Sequence, residues 1–240
     1  MLPVFTLQPL AIPQLFVALC LVVQGTVILI QRPRFFLHRS FFFFQFTICI
    51  WLFNMDIAAM ITNPDIALVF AKIGFLGVIF IPITTYAFSV YYLNDPTKQR
   101  FITIGLFITV TISAFINHQS FVYGIRQYPW GQYIQLGPWS YSILILFAIY
   151  VSLFTKNFYK KYTQSLPGQR RWYLLALISG IAAYLGASDF LPAYTSRWII
   201  PPIGYLFVGS FSTLMGYFIL RHRLTDIKII AGRTIGHGIL

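Results

Sequence analysis

The chain has 240 residues, of which 58% are hydrophobic, 19% aromatic and 9% charged, with a mean hydropathy of +0.75. Soluble domains carry about 25% charged residues, and disordered chains combine low hydrophobicity with high net charge, so both classes are excluded. The net charge of +12 comes from 17 Lys and Arg against five acids, all of them Asp. In a soluble protein that excess would suggest nucleic acid; here the positive residues fall in short connections between apolar runs, as in cytoplasmic membrane loops.

A spanning helix needs about 20 apolar residues. Seven stretches meet or approach that length: Leu10–Ile30, Phe41–Thr62, Ile66–Leu93, Phe101–Asn117, Pro138–Thr155, Trp172–Ser188 and Ile199–Leu220. The third contains Pro82, which predicts a kink or tilt. The expected fold is therefore an all-α membrane protein, a seven-helix transmembrane bundle. Residues 1–220 form the membrane domain and 221–240 a cytoplasmic exit helix. Residues 1–9 carry no charge, so the first apolar run reads as a retained span rather than a secretory signal. Cys20 and Cys49 lie inside apolar runs and read as small core residues.

The connections set the orientation. Fourteen positive residues fall on one set of alternate sides: Arg32, Arg34 and Arg39; Lys98 and Arg100; Lys156, Lys160, Lys161, Arg170 and Arg171; Arg221, Arg223, Lys228 and Arg233. The other set holds only Arg126 and Arg197, with Lys72 inside a span. This bias predicts an outer N-terminus and a cytoplasmic C-terminus. On the outer side, Asn63-Pro64-Asp65 reads as a tight turn. His118–Gly137 is the one long connection, and its aromatic arms around Tyr128-Pro129-Trp130-Gly131 predict a small β-hairpin lying over the bundle. An interfacial aromatic belt is the alternative.

Charges at bilayer depth are costly and point to function. Asp56 and Lys72 lie symmetrically about Pro64, at a common depth about 9 Å below the outer helix ends at 1.5 Å per residue. An Asp56–Lys72 ion pair is expected, either as the charged floor of a ligand pocket and switch or as a structural lock. Asn54 and Asn117 are candidates to share that cavity. Asp189, at the outer end of the sixth span, is expected in an interfacial salt bridge with Arg197. His118 sits at the outer end of the fourth span and reads first as a hydrogen-bonded interface residue; it and Asp189 are also candidates for ligand binding or the switch.

Catalysis finds little support. There is no G-x-S-x-G, H-E-x-x-H or G-x-x-x-x-G-K-[ST] pattern, the last span holds no Lys for a retinal Schiff base, and Asp56 is the only acid read as deep. His38, His222 and His237 lack the spacing and carboxylates of a metal site. Neither cofactor nor metal is expected. After Leu220, Leu224, Ile227 and Ile230 recur near helical spacing behind Arg221 and Arg223. The helix is expected to leave the membrane with one apolar face seeking a partner, either a continuation of the chain or a separate protein.

The chain resembles the N-terminal seven-helix sensor region of bacterial histidine kinases and related signalling proteins such as diguanylate cyclases. The resemblance rests on Ala71-Lys72-Ile73-Gly74, Ile81-Pro82 and Tyr86-Ala87-Phe88 in the third span, and on Gly137-Pro138-Trp139 opening the fifth. It rests also on Ile200-Pro201-Pro202-Ile203-Gly204 in the seventh and on the exit Ile219-Leu220-Arg221-His222-Arg223-Leu224-Thr225-Asp226-Ile227. It implies a sensor in the bacterial cytoplasmic membrane, taking a small-molecule or lipid ligand in an outer pocket, and adds Trp139 to the candidate site residues. The signal would leave through Arg221, Arg223, Leu224, Asp226 and Ile227 to a cytoplasmic signalling domain, in an arrangement expected to dimerise. A transporter or channel, and after it a membrane-embedded enzyme, are the rival readings.

Overall fold

A computed structural model describes residues 5–195 and 201–236, with the side chains of Pro96 and of residues 222–236 outside that description. Eight helices and one hairpin are described: α1 (Ala11–Gln31), α2 (Phe36–Met60), α3 (Pro64–Tyr92), α4 (Gln99–Ser113), β1 (Val122–Tyr128), β2 (Gly131–Leu136), α5 (Tyr141–Gln164), α6 (Pro167–Tyr184), α7 (Leu191–Tyr194) and α8 (Gly204–Gly236). A 3₁₀ segment, Leu185–Phe190, joins α6 to α7. Among the described residues, five helical segments are long and apolar enough to cross a membrane: Ala11–Gln31, Phe36–Met60, Pro64–Tyr92, Pro138–Gln164 and Pro167–Tyr194.

The fourth expected span is shorter than the sequence suggested. The helix stops at Ser113, and turns carry residues 114–121. Its 15 residues extend about 22 Å at 1.5 Å per residue, less than the ~30 Å of a hydrocarbon core. From Gly204 onward the seventh expected stretch forms the first half of α8, a continuous helix that carries the exit segment to Gly236; residues 201–203 precede the helix, and Ile199 and Ile200 lie outside the described residues.

Each helix end has a local cause. Asn63 caps α3, its Oδ1 accepting the N–H groups of Asp65 at 2.9 Å and Ile66 at 3.2 Å. Pro64 occupies the first turn, where its missing N–H is no loss. The expected turn at Asn63-Pro64-Asp65 is therefore a helix start, and α3 then runs on through Pro82. Along α1, the buried positions Ala11, Gln14, Ala18, Leu21, Gly25 and Ile28 alternate with exposed Ile12, Phe16, Leu19, Val23, Val27 and Ile30. Both series step by three or four residues, and the outward one is the larger and more apolar. That is the pattern of a helix packed by small residues against its neighbours and wetted by lipid. Cys20 belongs to the outward face, so its expected place in the core is corrected; Cys49 is half-buried.

Helices α2 and α3 share the most extensive interface, with α1 against α2 and α8, α6 against α5 and α8, and α4 against α3. Gly77 lets α3 approach α2 closely. A Cβ there would lie 2.6 Å from the Thr47 carbonyl oxygen and 2.8 Å from the Trp51 nitrogen, both backbone atoms. Between α1 and α2, the Gln45 amide donates to Gln24 Oε1 at 2.7 Å, a polar tie of the kind that joins helices in lipid.

The hairpin forms as the sequence predicts. β1 and β2 pair antiparallel from Val122 opposite Leu136 to Tyr128 opposite Gly131, with an irregularity between Val122 and Gly124. The two-residue connection Pro129-Trp130 is followed by Gly131 at φ +131°, a conformation that other residues adopt only with strain. A Cβ at Gly131 would also meet the Ala59 carbonyl oxygen at 2.7 Å. Every residue of β2 is buried. Gln132 Nε2 donates to the Thr62 carbonyl at 3.1 Å, fastening the hairpin to the end of α2. Thr6 N–H reaches the Met60 carbonyl at 2.8 Å and brings the N-terminal segment to the same end.

Candidate functional site

Under the hairpin lies a small cavity bounded by Ala11 and Gln14 of α1, by Trp51, Met55, Asp56 and Ala59 of α2, by Trp130 and Tyr133, and by Asp189, Pro201 and Pro202. Its water-accessible volume is about 20 Å³, room for about one water molecule. Both carboxylates are buried, each residue only 3% exposed, and they differ in their surroundings.

Asp189 sits in the 3₁₀ segment and faces the start of α8. Its Oδ1 accepts the N–H groups of Ile203 and Gly204 at 2.9 Å, and its Oδ2 also lies 2.9 Å from the Gly204 nitrogen. A carboxylate here satisfies N–H groups that helix geometry leaves without partners and sits at the positive end of the helix dipole. The expected Asp189–Arg197 pair falls partly outside the described residues, which do not include Arg197. The expected interfacial placement of Asp189 is corrected: it is an interior acid that caps a helix.

Asp56 Oδ2 is buried without a hydrogen-bond partner. The expected Asp56–Lys72 ion pair is absent; instead Lys72 Nζ donates to Asn117 Oδ1 at 3.2 Å. Symmetry about Pro64 placed the two residues at one depth but left their azimuth free. The face of α3 that meets α2 carries Gly74, which lies against Met55 and the Trp51 carbonyl. At about 100° per residue, Lys72 and Asp56 turn away from that seam in different directions. No α3 residue lines the Asp56 cavity. The expectation that Asp56 is the only deep acid is corrected as well, because the fold brings Asp189 to the same cavity.

The hairpin supplies the aromatic wall. Trp130 stacks on Tyr128 at 4.8 Å between centroids and meets Tyr133 edge-on at 5.2 Å. Tyr133 donates its hydroxyl to the Asp189 carbonyl oxygen at 2.8 Å, and the Tyr128 hydroxyl lies 2.6 Å from the Pro192 carbonyl. Burial first, and then the Asp189 and Asp56 carboxylates, hold the Tyr133 hydroxyl well above its usual range, so it remains a proton donor. Trp130 Nε1 is a buried donor without a partner. On the far side of Trp51 a second, apolar cavity of about 30 Å³ opens between α2, α3, α6 and α8, lined by Phe44, Val78, Phe190, Val208 and Phe211 among others.

The remaining candidates lie elsewhere. Asn54 turns back on α2, its Nδ2 donating to the Ile50 carbonyl at 2.9 Å. His118 stacks on Trp139 at 4.3 Å and 8° and accepts the Ser120 N–H at its Nδ1, so these two form a separate aromatic pair on the surface beside Asn117. Midway along α8, the Arg221 guanidinium lies 4.7 Å over the Trp172 ring and donates to the Tyr217 hydroxyl at 2.7 Å. Arg223, Leu224, Asp226 and Ile227 lie on the same continuous helix, with side chains outside the described residues. Gln14, Trp130 and Tyr133 were not singled out from sequence. Gln14 carried a signal, as a lone polar residue in the first apolar turns of a span; the two aromatics were visible only as part of the hairpin arms.

The sequence profile of one protein family, described as the N-terminal 7TM region of histidine kinase, matches residues 14–228. No curated protein matches the chain.

Proposed function

The chain belongs to the family of N-terminal 7TM regions of histidine kinases, and from that premise we propose that it is a sensory module whose hairpin end faces the outside and whose α8 carries the signal to a cytoplasmic signalling domain. The orientation is supported by fourteen Lys and Arg on one set of alternate connections against two on the other. The carrying observation is the Asp189 cap. One residue forms a wall of the cavity and also holds the first N–H groups of the helix that contains the exit segment. A ligand with different affinity for two positions of Asp189 would shift α8 between two states, and that differential affinity is all that coupling requires. Phosphoryl transfer in this reading belongs to a region outside these 240 residues.

The test is autophosphorylation in membrane vesicles by the chain joined to its kinase region. Asp189→Asn, which keeps the shape and loses the charge at the α8 start, is expected to change basal autophosphorylation at least threefold at unchanged membrane abundance. An unchanged rate would overturn the coupling. External labelling of Arg126→Cys but not of Lys160→Cys is the expected topology.

A further inference from the structure

We propose that Lys72, Asn117, His118 and Trp139 form a surface site for a phosphate oxyanion, the chemistry of a phospholipid headgroup or of free phosphate. The four residues make one continuous cluster. Lys72 Nζ donates to Asn117 Oδ1 at 3.2 Å. His118 is the next residue in the chain, and its ring stacks on Trp139 at 4.3 Å and 8°. Asn117, His118 and Trp139 are exposed and Lys72 is half-buried, so the cluster is open to a ligand.

Hydrogen bonds inside the cluster use its acceptors and leave its donors. Asn117 Oδ1 accepts from Lys72, which leaves the amide its Nδ2 hydrogens to give. His118 Nδ1 accepts the Ser120 N–H at 3.1 Å, which places the proton of the neutral ring on Nε2. An ammonium has three N–H groups and an indole is a donor only, so Lys72 and Trp139 add further donors. Among the described residues no carboxylate lies within ion-pair distance of Lys72; the salt bridge described is Lys98 with Asp95. The group that completes such a set carries several acceptor oxygens and a negative charge. A phosphodiester has two unbridged oxygens that share one charge, a match to one ammonium with neutral donors beside it, and bonds between charged partners are the strong ones.

The position favours a lipid as the source. Ile66, Val69 and Ile73 form an exposed apolar stripe on α3. At 3.6 residues per turn Lys72 stands at its margin, about 60° from Val69. A charge beside hydrocarbon is costly unless it is paired or reaches the interface. From Tyr92, at the other end of α3, Lys72 lies about 30 Å along the helix at 1.5 Å per residue, which equals the thickness of a hydrocarbon core. Lipid phosphates stand just beyond that level. Because α4 stops at Ser113, the turns that follow it, rather than more helix, meet Lys72 at Asn117. Trp139, with Phe115 edge-on to it at 5.7 Å, is of the residue type that sits at headgroup depth. The acyl chains of a bound lipid would run along Val69 and Ile73.

The site is separate from the Asp189 cavity, and binding is read without any kinase, so failure here leaves the coupling test standing. Only the assignment to the outer leaflet rests on the orientation proposed above.

The experiment follows thermal unfolding of the purified chain, stripped of lipid in dodecyl maltoside, at constant ionic strength. It is titrated with dioctanoyl phosphatidylglycerol, with dioctanoylglycerol, which has the same chains and no phosphate, and with inorganic phosphate. Dioctanoyl phosphatidylglycerol is expected to raise the Tm by several degrees and dioctanoylglycerol by much less. Lys72→Met, which removes the ammonium, is expected to weaken the phosphatidylglycerol effect at least tenfold in concentration. Asn117→Asp, which keeps the shape and gives Lys72 an internal counter-charge, is expected to weaken it as much while leaving the unliganded Tm unchanged or higher. If Lys72→Met fails to fold, Asn117→Asp decides alone. A rise with phosphatidylglycerol but not with inorganic phosphate identifies the lipid headgroup, whereas an equal rise with both, lost in Asn117→Asp, identifies the free anion. Dioctanoylglycerol acting as strongly as phosphatidylglycerol, no response to either phosphate compound, or a folded variant that responds undiminished would overturn the proposal.

Discussion

The two ends of the bundle treat their charges in opposite ways. At the end away from the hairpin, Asp95 is about one-third exposed and saturated: Lys98 Nζ lies 2.7 Å from its Oδ2, and the Thr97 hydroxyl donates to its Oδ1 at 2.6 Å. Lys98 also donates to Asn157 Oδ1 at 2.8 Å. At the hairpin end, Asp56 and Asp189 are buried, no described cation pairs with them, and Asp56 and Trp130 keep unused hydrogen-bonding capacity. Polar groups serving structure alone tend to be satisfied, because each unsatisfied buried group costs about 1–3 kcal/mol. The Asp56 carboxylate at the hairpin end therefore keeps bonding capacity that the Asp95 carboxylate does not, although Asn157 Nδ2 beside Lys98 is also buried without a partner.

Replacing one acid at a time breaks this comparison most directly. The largest effect is expected from Asp189→Ala. It strands the Ile203 and Gly204 N–H groups and removes the charge at the α8 start, and should cost about 3 kcal/mol, read as denaturant unfolding in detergent. Loss of less than about 1 kcal/mol would mean that the cap is not holding α8. Asp56→Asn should act in the other direction. It breaks no hydrogen bond in the described structure, and stability should hold or rise by about 1 kcal/mol; a clear loss would reveal a partner for Asp56.

The smallest effect belongs to the opposite end. The Lys98 hydrogen bond, followed by that of Thr97, holds the Asp95 carboxyl below its usual range. A depressed carboxyl contributes stability above the ordinary aspartate value of about 4 and loses it as pH falls through the depressed one. For an exposed pair this amounts to about 0.5 kcal/mol. Asp95→Asn should therefore be slightly less stable than the parent at pH 6, and the gap should close near pH 2. A gap that persists at pH 2 would show that the Asp95 side chain acts through something other than its charge.

The sequence by itself determined the membrane character, the course of most helices, the hairpin and the asymmetry of positive charge. These are local or additive properties: an apolar run of given length, a turn between aromatic arms, a count of Lys and Arg beside each run. It also singled out Asp56 and Lys72 as residues whose depth needed explaining, and Asp189 as a candidate at the outer end of the sixth span. What only the tertiary structure decided was who meets whom. Depth along a helix follows from residue number, but azimuth is fixed by packing, here by the close approach of α2 and α3 at Gly74 and Gly77. That packing turns Lys72 toward Asn117 and Asp56 into the cavity under the hairpin. Asp189 joins Asp56 only because a 3₁₀ segment more than 130 positions further along the chain folds back beneath the hairpin, and Trp130 and Tyr133 join them from the hairpin itself. Five separate stretches converge on the cavity, and no local rule of sequence spacing encodes such a convergence.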